Sequence, residues 1–542
     1  MATSSKSTQT RKFWGWGSVE SDLSAAEIQA LGKRMEERYG VKNLAYQQPP
    51  RIEEIKLKAP RVKPPASLAA LCTDAPLERA GHTYGKAFQD LVRAYARDFT
   101  PAPDWVALPK TEQDVVALLD WCTSAKIAAI PYGGGSSVVA GVEPAVGPGY
   151  AGAVSIDMRN LDQVLEVDKV SRAAHIQAGI YGPALDKALK PHGFTLRHYP
   201  QSYEVSTLGG WIATRGGGHY ATLYTHIDDF VESLRVVTPK GTGESFRLPG
   251  SGAGPSPDHM FIGSEGILGI ITSAWMRLQD RPKFRANASI PFPDFISAAN
   301  AVRAISQAGL FPANVRILDN NEALNNGVAD GTHSVMVLGF ESADHPMDAW
   351  MARALECVRD HGGKVPKDAG KTTDDEGVTR QGAAGAWRDA FIRMPYFRDA
   401  LVGFGLVSET FETSTTWDRF PDFHRQIMAV TEKAVKEVCG QGLVTCRFTH
   451  AYPDGPAPYY SVSGMGKKGS QMQMMAEIKQ AASEALIKLG GTITHHHAVG
   501  RYHRPWYDKQ RPEPFAIALR AAKKAIDPAG ILNPGVLVDP LP

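Results

Sequence analysis

The stretch "IPYGGGSSV", residues 130–138, places three glycines and two serines directly after an apolar, strand-like run. Glycine permits close backbone approach and positive φ, so successive amide N–H groups can curl around phosphate oxygens. The hydroxyls of Ser136 and Ser137 add two further donors. The glycines lack the G-x-G-x-x-G spacing, and no Lys-Ser/Thr pair follows as it does in a P-loop. Taken alone, the stretch fits a phosphate-binding loop and a surface loop equally well.

Two further glycine-rich stretches follow in chain order and favour the phosphate-binding interpretation. They read "PQSYEVSTLGGWIATRGGGHY", residues 200–220, and "MFIGSEGILGIITSAWMRL", residues 260–278. Around them, short apolar strands alternate with helical patterns from residue 101 to residue 280. This alternation indicates an α+β unit built around a ligand.

The three stretches together resemble the FAD-binding oxidases of the vanillyl-alcohol oxidase (PCMH) type, whose motifs are similar to PxGGGxS, STxGGWxAT and GSEGxLGxIT. The resemblance implies that FAD is the cofactor. Because the pyrophosphate loop has neither histidine nor cysteine, we expect FAD to be bound non-covalently. The residues that the motifs place around FAD are Pro131, Tyr132, Gly133, Gly134, Gly135, Ser136, Ser137, Gln201, Ser202, Ser206, Thr207, Thr214, Arg215, Gly216, Gly217, Glu265, Gly266, Leu268, Gly269, Ile270 and Ile271.

The predicted fold class is α+β, in three parts. We expect a helical N-terminal region over residues 1–100, a two-part FAD-binding domain of PCMH type over 101–280, and an α+β substrate (cap) domain over 281–542. In the first part, a helix is predicted to begin after Ser24 and to end at Gly40, since serine and glycine favour these two positions. A second helix is predicted over residues 84–98 from its apolar spacing. Trp211 and Tyr220 are interpreted as core aromatics.

Composition excludes several classes of protein. The formal net charge of the 542 residues is only +2 and no long basic run occurs, so no nucleic-acid partner is expected. The five cysteines form no CxxC pair, which favours reduced thiols. Neither a secretory signal nor an apolar run of about 18 residues is recognisable, so we expect a cytoplasmic protein. Peripheral membrane contact and a homodimer are left open.

Segments outside the flavin motifs resemble one family in particular, the alkyldihydroxyacetonephosphate synthases of ether-lipid biosynthesis. They are "KFWGWG" at 12–17, "MPYFRDALVGFGLVSETFETSTTWDR" at 394–419, "CRFTHAYPDGPAPYY" at 446–460 and "THHHAVG" at 494–500. The resemblance implies a lipid-like, phosphate-bearing substrate and a fatty alcohol. In that reaction the acyl chain of acyl-dihydroxyacetone phosphate is exchanged for the alcohol through an adduct on flavin N5.

The same resemblance implies roles for individual residues. Arg398 matches the arginine that holds the substrate phosphate, and Arg316 matches a second arginine that shapes the site. Tyr459 matches the tyrosine proposed to accept and donate a proton at C1. Without the family match, Arg398 would be interpreted as a partner of Asp399 and Tyr459 as a packing residue.

His495, His496 and His497 match the family's active-site histidines, although a solvated polar run is the alternative for any three adjacent histidines. In an extended segment, His495 and His497 would share one face and His496 would lie on the other. At most two of the three would then contact the substrate. No metal is predicted, because no cysteine or carboxylate lies nearby in sequence at ligand spacing.

Three positions depart from the family pattern. Gln201 stands where the family usually has aspartate, His219 is inserted near the flavin segment, and Arg501 replaces a lysine. The runner-up function is therefore an FAD-dependent dehydrogenase or oxidase of a 2-hydroxy acid such as D-lactate or glycolate. In that reaction a histidine takes the hydroxyl proton and an arginine holds the carboxylate. A flavin-bound scaffold without catalysis is the third alternative.

Overall fold

The structure, a computed structural model, describes residues 10–224, 226–367, 369–373 and 382–540, without the side chains of 382–389. Its N-terminal region contains α1 (Ala25–Tyr39), β1 (Cys72–Thr73), α2 (Pro76–Gly81) and α3 (Phe88–Tyr95). The predicted start and end of α1 are confirmed, because Ser24 forms a capping box with Glu27 and Gly40 adopts a left-handed conformation. Helix α3 is shorter than predicted, since the preceding residues are bonded to another loop. The amide of Lys86 donates to the Ser137 carbonyl at 2.6 Å.

The first half of the flavin-related region is a four-stranded sheet with the strand order β1-β2-β4-β3. Its elements are β2 (Trp105–Ala107), α4 (Glu112–Ser124), β3 (Ile127–Tyr132) and β4 (Gly152–Asp157). Strands β2, β4 and β3 are parallel. Strand β3 is almost entirely buried and ends directly at the glycine loop, which is therefore anchored on a rigid strand.

The second half is a five-stranded antiparallel sheet with the order β5-β6-β10-β8-β9. The elements of this half are β5 (Val164–Asp168), β6 (Ala173–Gln177), α5 (Gly182–Leu189), β7 (Phe194–Thr195), α6 (Leu208–Thr214), α7 (Ala221–Tyr224), β8 (Val231–Thr238), β9 (Gly241–Glu244), α8 (Asp258–Phe261), β10 (Ile270–Arg277) and β11 (Gln279–Asp280). Strand β11 pairs with β7 outside this sheet. Trp211 is buried in the core of this half, as predicted.

A six-stranded antiparallel sheet with the order β12-β14-β13-β16-β17-β15 forms the rest of the molecule. Its elements are β12 (Phe284–Phe292), α9 (Phe295–Gln307), β13 (Asn314–Leu318), α10 (Asn320–Asn325), β14 (Ser334–Ser342), α11 (Asp348–Asp360), α12 (Gly382–Gly403), β15 (Val407–Glu412), α13 (Phe420–Cys439), β16 (Gly442–Ala451), β17 (Pro456–Gly464) and α14 (Gln471–Lys488). One face packs against α9, α11, α13 and α14 in the largest hydrophobic core. The other face is free to line a cavity.

Both ends of the described chain return to the flavin-related half. The C-terminal helices α15 (Arg504–Gln510) and α16 (Glu513–Ile526) lead to a segment that bonds to β3, where the Ala129 amide donates to the Ile531 carbonyl at 2.8 Å. At the other end, Arg11 donates to the Tyr132 hydroxyl at 3.2 Å. The amide of Trp16 donates to the Asp399 carboxylate on α12 at 2.6 Å. The N-terminal segment therefore connects the glycine loop to α12.

Candidate active site

The glycine loop forms one wall of a cavity of about 800 Å³. A Cβ on Gly134 would overlap the Val205 carbonyl oxygen, and a Cβ on Gly133 would overlap the Thr207 hydroxyl. Gly135 has a φ of +64°. The loop therefore requires glycine at these positions for close approach and backbone conformation, as the sequence predicted.

The structure divides the predicted FAD residues into two groups. The first group lines the cavity: Gly133, Gly134, Gly135, Ser136, Ser137, Gln201, Ser202, Ser206, Thr207, Thr214, Gly216 and Gly217. The second group does not line it: Pro131, Tyr132, Arg215, Glu265, Gly266, Leu268, Gly269, Ile270 and Ile271. In that second group, Arg215 pairs with Asp228 and its side chain is 59% exposed. The cofactor roles of both groups stay predictions.

The first group fits the chemistry of FAD. Its glycines let the loop backbone lie directly against the segment 205–207, and its hydroxyls are donors placed beside that backbone. Thr207 caps the N-terminus of helix α6, and its hydroxyl accepts a hydrogen bond from the Gly210 amide. A cradle of this kind accommodates the pyrophosphate of a dinucleotide.

Glu265 ties the flavin-related half to the histidine segment. It is buried, has a φ of +50°, and accepts hydrogen bonds from the amides of Val499 at 2.9 Å and Gly500 at 2.8 Å. Burial raises the pKa of Glu265 to about 7, although the two amide bonds oppose this shift. The Asn533 side chain in turn donates to the Glu265 carbonyl at 2.8 Å. Glu265 is thus in contact with the segment after the histidines and with the C-terminal segment.

The histidine segment is neither helix nor strand, because Glu412 at the end of β15 shapes its backbone. The Glu412 side chain is 1% exposed, and its carboxylate accepts hydrogen bonds from the amides of His495, His496 and His497. The hydroxyl of Thr494 donates to it at 2.6 Å. Burial by itself would raise the pKa of Glu412, but His497, His495 and these hydrogen bonds outweigh it and lower the pKa. Glu412 is therefore a buried anion that organises the triplet.

The prediction that His495 and His497 share a face in an extended segment is wrong. Three successive amides turn towards one carboxylate, so the chain curves and the side chains do not alternate. His495 Nδ1 and His496 Nδ1 lie 3.0 Å apart. His497 instead packs edge-on against Tyr459, with ring centroids 5.5 Å apart. His496 and His497 line the cavity, whereas His495 lies outside its lining.

Tyr459 on β17 also lines the cavity. Its hydroxyl donates to Thr410 Oγ1 at 2.8 Å, and the Arg447 guanidinium lies 3.9 Å from its ring centroid. Burial raises the pKa of Tyr459, while Arg447 and the Thr410 bond only partly oppose the rise. In this state Tyr459 is a neutral phenol. Arg447 itself is paired with the buried carboxylate of Glu322.

Arg398 and Arg316 both line the cavity. Arg398 on α12 donates to the Lys86 carbonyl at 2.7 Å and lies 3.7 Å from Asp399, but its side chain is only 15% exposed and is not a surface ion pair. Arg316 on β13 lies 3.0 Å from His219 Nδ1. Burial, with Arg447 nearby, lowers the pKa of Arg316 to about 9. Among the described residues, Arg398 Nε and Arg316 Nη1 are buried donors without a hydrogen-bond partner, which leaves them available to an anion.

The end of the cavity away from the histidines is mostly apolar. Helix α1 supplies part of this wall, although the sequence gave its region no part in a site. The lining side chains there are Leu31, Arg34, Met35, Arg38, Phe397, Leu401, Leu443 and Val462. In the part of the chain that the structure describes, no helix has the length and apolar character needed to cross a bilayer.

Sequence reasoning missed four residues around the histidines: Glu412, Arg447, His450 and the cavity-lining Glu322. Three of them lie in the motifs of the family, Glu412 in "FETS" and Arg447 and His450 in "CRFTH", so the family resemblance held a signal for them. The contacts that give them importance, however, connect segments far apart in the chain. Glu412 and His495 are 83 residues apart.

Comparison with known proteins agrees with this arrangement. The chain matches the family model "FAD binding domain" over residues 103–246 and "FAD linked oxidases, C-terminal domain" over residues 281–537. It is 31% identical over 479 residues to the alkyldihydroxyacetonephosphate synthase of Dictyostelium discoideum, covering 86% of this chain and 78% of that protein. A solved alkyldihydroxyacetonephosphate synthase structure superposes with a TM-score of 0.78 at 26% identity, covering 97% of this chain and 98% of that one.

A more distant structure shares the fold alone. p-Cresol methylhydroxylase superposes with a TM-score of 0.66 at 13% identity, covering 88% of this chain and 95% of that one. The predicted PCMH-type α+β fold and the FAD cofactor are both confirmed by these matches.

Proposed function

Because this chain belongs to the alkyldihydroxyacetonephosphate synthase family, we propose that it exchanges the acyl chain of acyl-dihydroxyacetone phosphate for a fatty alcohol. The products are the alkyl ether and a fatty acid, so no net oxidation or reduction occurs. One observation carries the proposal. The glycine loop, two buried arginines and an apolar end line one continuous cavity, which matches a flavin, a phosphate and an alkyl chain.

Two arginines are proposed to bind the substrate phosphate. Arg398 and Arg316 keep buried N–H groups without partners, and a planar guanidinium suits a phosphate. Their positive charges cost free energy in a buried cavity, and a phosphate dianion offsets that cost. When bound, FAD supplies an electron-accepting ring beside the substrate.

Tyr459 and the histidines are proposed to handle protons and to exclude water. The neutral Tyr459 phenol is a proton donor to a departing carboxylate, and Arg447 against its ring stabilises the phenolate that results. Burial and the neighbouring His495 and His497 lower the pKa of His496, and burial lowers that of His497. Both imidazoles are therefore neutral, and the His497 imidazole is able to accept the proton of the incoming alcohol.

The apolar end is proposed to hold the alkyl chains. Leu31, Met35 and Leu401 lie at this end, and burying each methylene there contributes about 0.8 kcal/mol. Selection for long chains is therefore an expected property. We expect the chemistry at the flavin end and the chain-length preference set at the α1 end to be separable in variants.

The proposed exchange is tested with two substrate classes under anaerobic conditions. The FAD-loaded protein is mixed with acyl-dihydroxyacetone phosphate and a radiolabelled fatty alcohol, and separately with D-lactate or glycolate. We expect label in an ether product and no flavin bleaching by the hydroxy acids. Rapid bleaching without labelled ether would instead establish the 2-hydroxy-acid dehydrogenase or oxidase.

Substitution of Arg398 tests the phosphate contact. Arg398→Met removes charged hydrogen bonds to phosphate, so kcat/KM is expected to fall about a hundredfold while FAD affinity is unchanged. Arg393→Met is the matched control, because Arg393 lies on the same helix and pairs with Glu27 outside the cavity lining. Equal loss of FAD and substrate binding in Arg398→Met would mean that the arginine is structural.

A further inference from the structure

Three imidazoles meet beside the cavity although they come from two distant segments. His450 on β16 lies next to His495 and His496, and the three ring centroids form a nearly equilateral triangle with sides of 5.1, 5.2 and 5.3 Å. Ligand nitrogens of the three rings all lie within 4.8 Å of one another. We propose that His450, His495 and His496 bind one zinc-class transition-metal ion.

The hydrogen bonds orient His450 as a ligand. Its Nε2 donates to the Gly218 carbonyl at 2.9 Å, so its Nδ1 carries a free lone pair. That Nδ1 is buried and has no hydrogen-bond partner among the described residues, in a residue that is 3% exposed. Metal-binding histidines commonly donate their second N–H to a carbonyl in this way. A buried lone pair without a partner is costly, and a bound cation removes that cost.

His495 and His496 complete the set with little movement. Their Nδ1 atoms are 3.0 Å apart, close to the roughly 3.3 Å between two nitrogens bound tetrahedrally to zinc. The other nitrogen of His495 contacts the Tyr452 hydroxyl at 2.9 Å, an outer partner that fixes its ring. The sequence predicted no metal at these histidines. Two of them converge here because Glu412 bends the backbone, and His450 supplies the third ligand.

Protonation and charge favour a cation at this position. Imidazole binds a metal ion in its neutral state, and the hydrogen bond that His450 Nε2 donates to the Gly218 carbonyl leaves Nδ1 of this ring as the ligand atom. The Glu412 carboxylate lies 3.6 Å from His496 Nδ1 and compensates positive charge. Arg316 and Arg447 are also near and oppose a cation, but both are partnered by anionic groups when Glu322 and a substrate phosphate are present.

The ligand type selects the metal. An all-imidazole set suits zinc, cobalt, nickel or copper, and is a poor match for magnesium or calcium, which take oxygen ligands. Three protein ligands leave a fourth position open, as in catalytic rather than structural zinc sites. His450 and His496 line the cavity, so the open position is adjacent to it. If the proposed function holds, the ketone oxygen of the dihydroxyacetone unit is the donor suited to that position.

The test measures metal binding without using activity. Full-length protein without a histidine tag is loaded with FAD, stripped with a chelator, and titrated with Co²⁺ and then Zn²⁺. We expect about one equivalent of Co²⁺ to give tetrahedral d–d bands at wavelengths beyond the flavin absorption, and Zn²⁺ to abolish them. Absence of a stoichiometric spectral change, with FAD still bound, would overturn the proposal.

Two variants and one control locate the site. His450→Gln and His495→Gln are each expected to weaken Co²⁺ binding at least about tenfold, with flavin content unchanged. His497→Gln is the matched control, because His497 belongs to the same triplet but lies outside the triangle. Equal weakening in the control, or none in either ligand variant, would contradict the assignment. If the protein binds Co²⁺ as expected but still synthesises ether after the metal has been stripped, only the proposed contact between the metal and the ketone oxygen is excluded.

Discussion

The glycine loop and the histidine segment face one another across the same cavity but are constructed in opposite ways. The loop uses backbone: glycines at Gly133–Gly135 allow close approach, and their neighbours in sequence supply the hydroxyls. The histidine segment uses side chains, and its shape comes from Glu412, a carboxylate 83 residues away from His495. A backbone site can be recognised from a few consecutive residues. A site of the second kind depends on partners that only the fold brings together.

The largest expected effect is the loss of FAD binding when the backbone of the glycine loop is disturbed. Gly134→Ala places a Cβ onto the Val205 carbonyl oxygen, so the loop and the segment 205–207 have to move apart, although both line the cavity. We expect the variant to purify without FAD, with affinity reduced at least about ten-thousandfold, as measured by flavin absorbance and FAD titration. Gly147→Ala is the control, because a Cβ there meets nothing within 4 Å. A yellow Gly134→Ala protein would show that the loop does not approach a ligand.

The next largest effect is a loss of kcat/KM when the histidine segment alone is disturbed. Glu412→Gln keeps the shape of the side chain but removes the charge that accepts three amides and the Thr494 hydroxyl. Each such bond to a charged group contributes about 1.5–3 kcal/mol, so losing part of the set costs about 4 kcal/mol, or roughly a thousandfold in kcat/KM. FAD affinity should be unchanged. Parallel loss of flavin and activity would mean that the two sides of the cavity are not independent.

The smallest expected effect is a pH dependence of stability at Glu265, the residue that joins the flavin-related half to the histidine segment. Burial raises the pKa of Glu265 to about 7 from a model-compound value of 4.5. Because the folded protein binds this proton more tightly, the stabilisation is present below pH 4.5 and is lost as the pH rises towards 7. The loss amounts to about 3 kcal/mol.

Glutamine does not titrate, so the Glu265→Gln variant lacks this pH-dependent contribution to stability. The Tm of the wild type should therefore fall relative to that of the variant as the pH rises from 4.5 to 7. The measurement is a Tm series at saturating FAD. A constant Tm difference from pH 4.5 to pH 7 would show that Glu265 stays ionised in the fold.

How far the sequence predicted the molecule follows the same division. The FAD motifs, the PCMH-type fold and the ends of α1 were predicted because each depends on neighbours within a few residues, as the Ser24–Glu27 capping box illustrates. The curvature of the histidine segment and the partnership of Arg447 with Glu322 were not predicted. Buried charges of this kind have no period or spacing in sequence, since their partners come from other helices and strands.

The contribution of α1 to the cavity lining was also not predicted, although the helix itself was. The sequence indicated a helix with a correct beginning and end, but not the surface against which Leu31 and Met35 would lie. Those residues meet Leu401 and Phe404 near the end of α12, which lies some 370 residues further along the chain. A helix can therefore be predicted well while its contribution to a cavity stays invisible.

The two chain ends that return to the flavin-related half also set the timing of its completion during synthesis. The hydrogen bond between Trp16 and Asp399 can form only after a further 383 residues have been synthesised. The hydrogen bond between Gly141 and Asn533 requires a further 392 residues. At ribosomal rates of about 5–20 residues per second, the glycine loop emerges roughly 20 s or more before the last of its supports. The flavin site of the nascent chain therefore stays incomplete until the segment around Asn533 has been synthesised, and FAD binding with full affinity is expected only after that point.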